Sequence, residues 1–190
     1  MIVKKINTNI KGKGRHRQMI DLIDYIRFSH NKNPEEKILH AGGVNFITET
    51  HQGQKWEMIT LACQSIHSNN PITHWVFSWP EDEIPTHAHV DELVQVFMRE
   101  MGLEGHQVIY GLHGNTKFMH VHLAINRMNE ITGKVVRPND GFDIGLHIRL
   151  LPSLKNCRAG SRRIIPSTRW WMVRSSSKRL PRFSNLPRRL

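Results

Sequence analysis

Three histidines lie within ten residues of the chain, at positions 113, 120 and 122. In residues 119–126, apolar residues alternate with a second set that contains His120 and His122, which is the period of a half-buried β-strand. Side chains two positions apart on a strand point to the same side, so these two imidazoles share one face. A preceding strand that ends at His113 would bring a third imidazole beside them. Three imidazoles leave coordination positions for substrate oxygens, so the spacing predicts a site for Mg²⁺, Mn²⁺ or Zn²⁺.

A second His-x-His pair, His87 and His89, has a different setting. It begins residues 87–101, whose apolar residues recur with helical spacing. Positions two apart on a helix diverge by about 200° around its axis, so the two side chains do not share a metal. We predict that both are surface residues at the start of a helix.

Tyr25 is the candidate nucleophile. It lies in a predicted helix over residues 18–29 and points about 160° away from Ile23 of the apolar stripe, on the polar side with Asp21. A phenolate attacks phosphorus once its pKa is lowered, and a metal-polarised phosphate makes that attack easier. Without the histidine cluster, an ordinary surface tyrosine would be the better interpretation. Tyr110, the other tyrosine, shares strand parity with apolar neighbours and is predicted to lie in the core.

The elements around these residues are too close in sequence for parallel crossovers. We therefore predict an α+β fold in which a central antiparallel sheet is backed by helices. Thr86 is expected to cap the third helix and Gly102 to end it. Helices are predicted at 18–29, 54–67 and 87–101, strands at 43–49, 72–79, 106–113 and 119–127, and a hairpin around 132–133. The helix residues predicted to be buried are Met19, Leu22, Ile23, Ile26, Ile59, Ala62, Cys63, Ile66, Val90, Leu93, Val94, Phe97 and Met101.

The positive charge of the chain is unevenly distributed. The formal net charge is +11, yet 12 of the 27 Lys and Arg residues lie in residues 144–190, which contain no acid. Residues 1–143 contain the other 15 together with all 16 acidic residues. Residues 1–17 form a basic arm that is a candidate for phosphate contacts, and a solvated, partly disordered terminus is the competing interpretation. The cations of the arm are Lys4, Lys5, Lys11, Lys13, Arg15 and Arg17.

Composition also bounds the class of protein. The 190 residues suffice for one domain with a core. No run of about 18 apolar residues is present, so no membrane span is expected. The N-terminus lacks the apolar core of a signal peptide, and two isolated cysteines suit a reducing cytoplasm.

Residues 144–190 differ in character from the rest. Ten Arg, seven Ser and seven Leu make up 24 of these 47 residues. Because these amino acids have the most codons, they accumulate when DNA is translated in an unintended frame. We hypothesise a frameshifted, disordered tail. A genuine basic DNA-binding extension is the alternative.

The chain resembles the relaxases, the mobilization nucleases of the HUH endonuclease superfamily, in the branch used by mobilizable plasmids. The resemblance covers about three quarters of the chain and would make residues 1–143 a relaxase nuclease domain with the antiparallel sheet of that family. Its matching stretches are 22–26 (LIDYI), 43–46 (GVNF), 74–79 (HWVFSW), 105–110 (GHQVIY), 112–113 (LH), 120–127 (HVHLAINR), 132–136 (TGKVV) and 141–144 (GFDI).

The resemblance implies a chemistry and a substrate. Tyr25 would attack a phosphodiester of single-stranded DNA at a transfer origin, giving a 5′-phosphotyrosyl enzyme and a free 3′-hydroxyl. His113, His120 and His122 would hold a divalent metal, Mg²⁺ or Mn²⁺, at the scissile phosphate. Arg127 and the cations of the basic arm would contact phosphates, with relaxosome accessory proteins as further partners.

Two departures from the family pattern keep a second function open. Residues 114–119 lack the acidic residues that relaxases often carry between their first and second metal histidines. After residue 144 the chain continues with the basic tail instead of a further helix and domain. A truncated or decayed relaxase that binds DNA or relaxosome proteins without nicking is therefore the alternative, and a replication initiator ranks lower because its tyrosine usually follows the histidines. The general base stays open among Asp21, Asp24, Glu81 and Glu83.

Overall fold

A computed structural model of the chain describes residues 1–6, 12–28, 38–65, 68–114 and 117–136. These residues form an α+β fold, as predicted, with one five-stranded antiparallel sheet and three helices packed on it. The predicted tail at 144–190 lies outside the described residues, as do Lys11 and Ile66. No helix in the described ranges is both long and apolar enough to cross a membrane.

The strand that carries the histidine pair lies at the centre of the sheet. Along the chain the elements are β1 (Ile2–Ile6), α1 (Arg15–Arg27), β2 (Ile38–Val44), α2 (His51–Cys63), β3 (Ile72–Ser78), α3 (His87–Glu100), β4 (Val108–His113) and β5 (His120–Asn126). The strand order is β1-β3-β5-β4-β2, so β5 is hydrogen-bonded to a neighbour on each side. Strands β1 and β2 form the two edges of the sheet.

The two faces of the sheet carry separate cores. On one face, α3 packs through Phe97 and its apolar neighbours against Tyr110 of β4 and Leu123 of β5. On the other face, α1 and α2 pack against Ile109 and Ala124. Residues of one strand alternate between the faces, so the histidines of β4 and β5 lie on the face that α1 and α2 cover. The prediction that Tyr110 is a core residue is confirmed.

Most of the helix residues predicted to be buried are buried. Cys63 is exposed, contrary to the prediction, because α2 ends at this residue and its side chain faces solvent. Met101 is partly buried because it is the C-terminal cap of α3. The residues confirmed as buried are Met19, Leu22, Ile23, Ile26, Ile59, Ala62, Val90, Leu93, Val94 and Phe97.

Side-chain caps and a glycine define the helix ends. The hydroxyl of Thr86 accepts a hydrogen bond from the backbone N–H of His89, and Gly102 follows α3 with a φ of 65°, as predicted. Thr50 caps α2 in the same way through the N–H of Gly53. This second cap explains why α2 begins three residues before the predicted start at 54.

The prediction of a strand over residues 43–49 is wrong. The strand is β2, which ends at Val44, and the chain leaves the sheet at Asn45 with a φ of 61°. The carboxylate of Glu57 accepts hydrogen bonds from the backbone N–H groups of residues 47 and 48. These side-chain bonds satisfy donors that a continuing strand would need for its ladder.

The N-terminal arm predicted over residues 1–17 contains regular structure. Strand β1 pairs with β3, from Ile2 opposite Ser78 to Ile6 opposite His74, and α1 already begins at Arg15. Among the residues of β1, Val3 alone is buried. Buried and exposed residues therefore do not alternate along this edge strand. The strand is regular because it pairs with β3.

Candidate active site

Strands β4 and β5 bring the three predicted histidines together. His113 ends β4 and lies directly opposite His120 at the start of β5. The ring centroids are 5.7 Å apart for His113 and His120, 4.7 Å for His113 and His122, and 4.9 Å for His120 and His122. One ligand nitrogen from each ring lies within 4.8 Å of the other two, and the described residues contain no second such group of metal-ligating side chains.

Backbone carbonyls orient two of the three rings. Nε2 of His113 lies 3.2 Å from the carbonyl oxygen of Ile26 in α1, and Nδ1 of His120 lies 3.0 Å from the carbonyl oxygen of Phe118. A carbonyl oxygen only accepts hydrogen bonds, so the imidazole nitrogen must donate in both cases. The lone pair is then carried by Nδ1 of His113 and by Nε2 of His120, and these are the nitrogens that can bind a cation.

A fourth histidine orients the third ring. Nε2 of His74 in β3 lies 2.9 Å from Nδ1 of His122, and both side chains are buried. Sequence reasoning missed the contact of His74 with this cluster. The sequence did indicate that His74 shares one strand face with Ile72 and Val76. That this face lies beside His122 depends on the order of the strands, which the sequence does not show.

The hydroxyl of Tyr25 reaches the cluster from α1. It lies 3.4 Å from Nε2 of His122, and the phenol ring is 5.0 Å from the ring of His122 and 5.4 Å from that of His113. The side chain is partly buried at the edge of the α1–α2 core. The structure therefore brings together all four residues that the sequence singled out for catalysis and metal binding.

Burial keeps the inner rings of the cluster neutral. Desolvation, reinforced by the neighbouring imidazoles of His113, His74 and His120, lowers the pKa of His122 to about 2. Desolvation and the proximity of His113 lower the pKa of His74 to about 4. Neutral imidazoles keep the lone pairs that bind a metal.

The donor set fits a divalent cation. Three neutral imidazoles converge, two of them have a tautomer set by the backbone, and the third is held by a buried partner. Three nitrogen ligands favour transition metals and leave positions for oxygen ligands. His113, His120 and His122 can therefore hold such an ion.

Most of the predicted DNA-binding cations of the described residues are engaged within the protein. Lys13 and Arg17 form ion pairs with Asp21. The guanidinium of Arg15 donates to the carbonyl oxygens of residues 65 and 68, and that of Arg127 donates to those of residues 70 and 136. Arg15 and Arg127 thus tie loops to the sheet and to α1.

Lys4 and Lys5 of β1 point to opposite faces of the sheet. Nζ of Lys5 lies 5.6 Å from the centroid of the Trp75 ring, on the α3 face. Lys4 pairs with Val76, which pairs with His122. Lys4 is therefore on the face of the histidine cluster, two strands away, or roughly 10 Å between backbones at the usual strand spacing.

Two of the four acidic residues left open as general bases are in ion pairs. Nζ of Lys55 in α2 lies 2.6 and 2.7 Å from the carboxylate oxygens of Asp24, next to Tyr25 in sequence. Asp21 forms ion pairs with Lys13 and Arg17. Glu81 and Glu83 lie in the loop between β3 and α3. The carboxylates of Asp21 and Asp24 are thus engaged with cations of the same chain.

The second His-x-His pair has no part in the site. His87 and His89 are exposed at the start of α3, as predicted, and α3 covers the other face of the sheet. The ring of His87 stacks on that of His40, with centroids 4.6 Å apart.

Comparison with known proteins identifies a family whose match spans the site. The family model of the MobA/VirD2-like relaxase nuclease domain matches residues 25–148, a range that begins at Tyr25 and includes the three histidines. Protein MobA of Acidithiobacillus ferrooxidans is 43% identical over 105 residues, which is 55% of this chain and 26% of that protein. The chain thus spans about a quarter of the length of this relative. By the extent of the family match and the residues within it, the chain belongs to the MobA/VirD2-like relaxase nuclease-domain family.

Proposed function

We propose that this chain nicks single-stranded DNA at a transfer origin by transesterification, with Tyr25 as the nucleophile. The three histidines of the cluster would hold a divalent cation, Mg²⁺ or Mn²⁺. The observation that carries the proposal is the 3.4 Å distance between the Tyr25 hydroxyl and Nε2 of His122. A nucleophile and a metal site within contact distance are what phosphoryl transfer to tyrosine requires.

The reaction can be written from the residues of the site. When bound, the cation would polarise the scissile phosphate and offset the negative charge that develops on it. The phenol oxygen of Tyr25 forms a bond to phosphorus as the bond to the 3′ oxygen breaks. The products are a 5′-phosphotyrosyl enzyme and a free 3′-hydroxyl, and the proton lost by the phenol balances the one gained by the 3′ oxygen. The reverse reaction rejoins the strand.

The fold supports this chemistry by holding both partners on regular elements. Tyr25 is on α1, whose apolar residues pack on the sheet, and the histidines are on paired strands at its centre. Sites on helices and strands keep their geometry better than sites on loops. The DNA would approach over the open part of this face towards β1, where Lys4 lies. We also propose that relaxosome accessory proteins are partners of this chain and that it acts in the cytoplasm.

The test uses the two tyrosines of the chain as a matched pair. The full chain is incubated with Mn²⁺ and a labelled single-stranded oligonucleotide spanning the transfer origin of its element, and covalent adducts are separated on a denaturing gel. We expect an adduct with the wild type and with Tyr110→Phe. The hydroxyl of Tyr110 donates a hydrogen bond to Asp91 of α3, on the opposite face of the sheet. We expect no adduct with Tyr25→Phe or in the presence of EDTA.

Other outcomes separate the alternatives. Cleavage that persists in Tyr25→Phe would indicate metal-dependent hydrolysis and refute the phosphotyrosyl step. Sequence-specific binding without an adduct, at any Mn²⁺ or Mg²⁺ concentration, would support the decayed relaxase that binds DNA without nicking.

A further inference from the structure

We propose that His74 is a positioning residue for the metal site. By accepting a hydrogen bond from Nδ1–H of His122, it holds His122 in the tautomer whose Nε2 lone pair faces Tyr25 and the other two ligands. The inference rests on the proposed function where it concerns metal affinity, whereas the tautomer itself is a property of the metal-free chain.

The contact between the two rings is short and excluded from water. Nε2 of His74 and Nδ1 of His122 are 2.9 Å apart, the ring centroids are 5.1 Å apart, and the planes are tilted by 32°. His74 is 7% exposed and His122 is 6% exposed. Because both side chains are buried, bulk water cannot replace this hydrogen bond if it is lost. The bond therefore constrains the orientation of both rings.

The metal site proposed on the far side of His122 sets the direction of this hydrogen bond, because Nε2 must keep its lone pair to bind a cation. The hydroxyl of Tyr25 lies near Nε2 of His122. A neutral imidazole has one N–H, so a lone pair on Nε2 requires the proton to be on Nδ1. Nδ1 of His122 then donates, and Nε2 of His74 accepts.

His122 differs in this respect from the other two ligands. Backbone carbonyls hold His113 and His120, and a carbonyl can only accept, so their tautomers are set by the main chain. An imidazole partner can donate or accept. The tautomer of His122 therefore depends on a side chain that a single substitution can change.

The sheet register explains why residue 74 performs this task. His74 lies directly opposite Ala124, and His122 lies opposite Val76. The two histidines are thus diagonal neighbours on one face, a spacing that long side chains can bridge. The methyl group of Ala124 is small enough to leave space for the His74 ring to turn towards His122.

Loss of such a support has a measurable size. A partner that orients a metal-bound histidine typically contributes about 10- to 100-fold to metal affinity. We therefore expect His74→Leu, which removes the acceptor, to weaken Mn²⁺ binding by that factor. His74→Gln places an amide oxygen that can accept the same hydrogen bond, so its dissociation constant should stay within a few fold of the wild type.

Two readouts test the inference on the full chain. Calorimetric titration with Mn²⁺ gives the dissociation constants, and ¹⁵N NMR of the histidine rings in the metal-free chain identifies the nitrogen of His122 that carries the proton. We expect the Nδ1–H tautomer in the wild type and in His74→Gln, and a mixture of tautomers in His74→Leu. His106→Leu is the control for lost stability, because His106 is also buried but donates to the carbonyl of Asn126 at the other end of β5.

The outcomes distinguish this inference from the proposed function. A wild-type chain that shows the Nε2–H tautomer at His122 would overturn the role of His74, even if His74→Leu fails to fold. So would wild-type Mn²⁺ affinity in His74→Leu, or equal losses in His74→Gln and His74→Leu. A wild type that has the Nδ1–H tautomer but does not bind Mn²⁺ would support the positioning contact and refute the metal site.

Discussion

Gly111 of β4 lies directly beneath the carbonyl oxygen of Ile26 in α1, in space that a Cβ atom would fill. The same carbonyl accepts the hydrogen bond from Nε2 of His113 at 3.2 Å. Since Tyr25 precedes Ile26 in the helix, the absence of a side chain at position 111 sets how closely Tyr25 approaches the histidines.

We expect Gly111→Ala to push α1 away from the sheet. A clash with backbone cannot be relieved by a rotamer change, so the unfolding free energy should fall by about 1 to 3 kcal/mol. Mn²⁺ affinity and adduct formation should fall by at least about tenfold, as expected when a site's geometry is displaced. Gly14→Ala is the matched control, because its Cβ meets nothing within 4 Å. Unchanged Mn²⁺ affinity in a folded Gly111→Ala would contradict the role given to this approach.

The ion pair between Asp24 and Lys55 is expected to support stability and not proton transfer. The Lys55 side chain is 9% exposed, so Asp24→Asn leaves a largely buried cation without its carboxylate. We expect a loss of about 1 to 3 kcal/mol in unfolding free energy. The double variant Asp24→Asn with Lys55→Met should recover most of it in urea unfolding. Adduct formation should persist in both variants at a temperature where they are folded, and its loss in a fully stable Asp24→Asn would make Asp24 the general base.

Lys4 and Lys5 form a matched pair for the path of the DNA. Each ion pair to a phosphate contributes about 0.7 to the slope of log affinity against log salt for single strands. We expect Lys4→Gln to reduce that slope by about this amount, since Lys4 lies on the face of the cluster. Lys5→Gln should leave it unchanged, because Lys5 lies over Trp75 on the other face. Fluorescence anisotropy with a labelled oligonucleotide at several salt concentrations measures both slopes, and equal slopes for the two variants would place the DNA elsewhere.

Arg127 is expected to act on stability. Its guanidinium donates to the carbonyl oxygens of Val136 and Asn70 at 2.8 and 3.0 Å, which joins the end of β5 to two loops. Arg127→Gln should lower the unfolding free energy by about 1 to 3 kcal/mol and leave the salt slope of DNA binding unchanged. A reduced salt slope at wild-type stability would restore Arg127 as a phosphate contact.

The buried histidines make the metal-free chain sensitive to acid. The pKa of His74 is lowered from 6.5 to about 4 by burial, so the unfolded chain binds more protons than the folded chain between these values. The contribution of neutral His74 to the unfolding free energy is therefore fully present above about pH 6.5, and it is lost as the pH falls towards 4. At about 1.4 kcal/mol per unit, His74→Gln should remove on the order of 3 kcal/mol of this dependence. Urea unfolding in EDTA from pH 7 to 4 measures it, and identical curves for wild type and variant would show that His74 does not contribute.

Local patterns predicted much of the site and part of the fold. The strand around His120 and His122, the stripe of α1 and the Thr86 cap are properties of a few consecutive residues, and each is found in the structure. The prediction that this strand is half-buried is wrong, because helices cover both faces of the sheet. The predictions that failed depend on distant partners. Strand β1 is regular because β3 pairs with it, and the chain turns out of β2 because Glu57 of α2 binds its backbone.

The amino-acid sequence by itself determined which residues can do chemistry and which face of each element they occupy, because helix and strand periods are set by the local backbone. Tertiary structure alone decided what those faces meet. The strand order places His74 beside His122, the close packing at Gly111 brings Tyr25 to the cluster, and the register with β3 places Lys4 opposite Val76 on the face of the cluster. Contacts of this kind join residues tens of positions apart, and no local period carries that information.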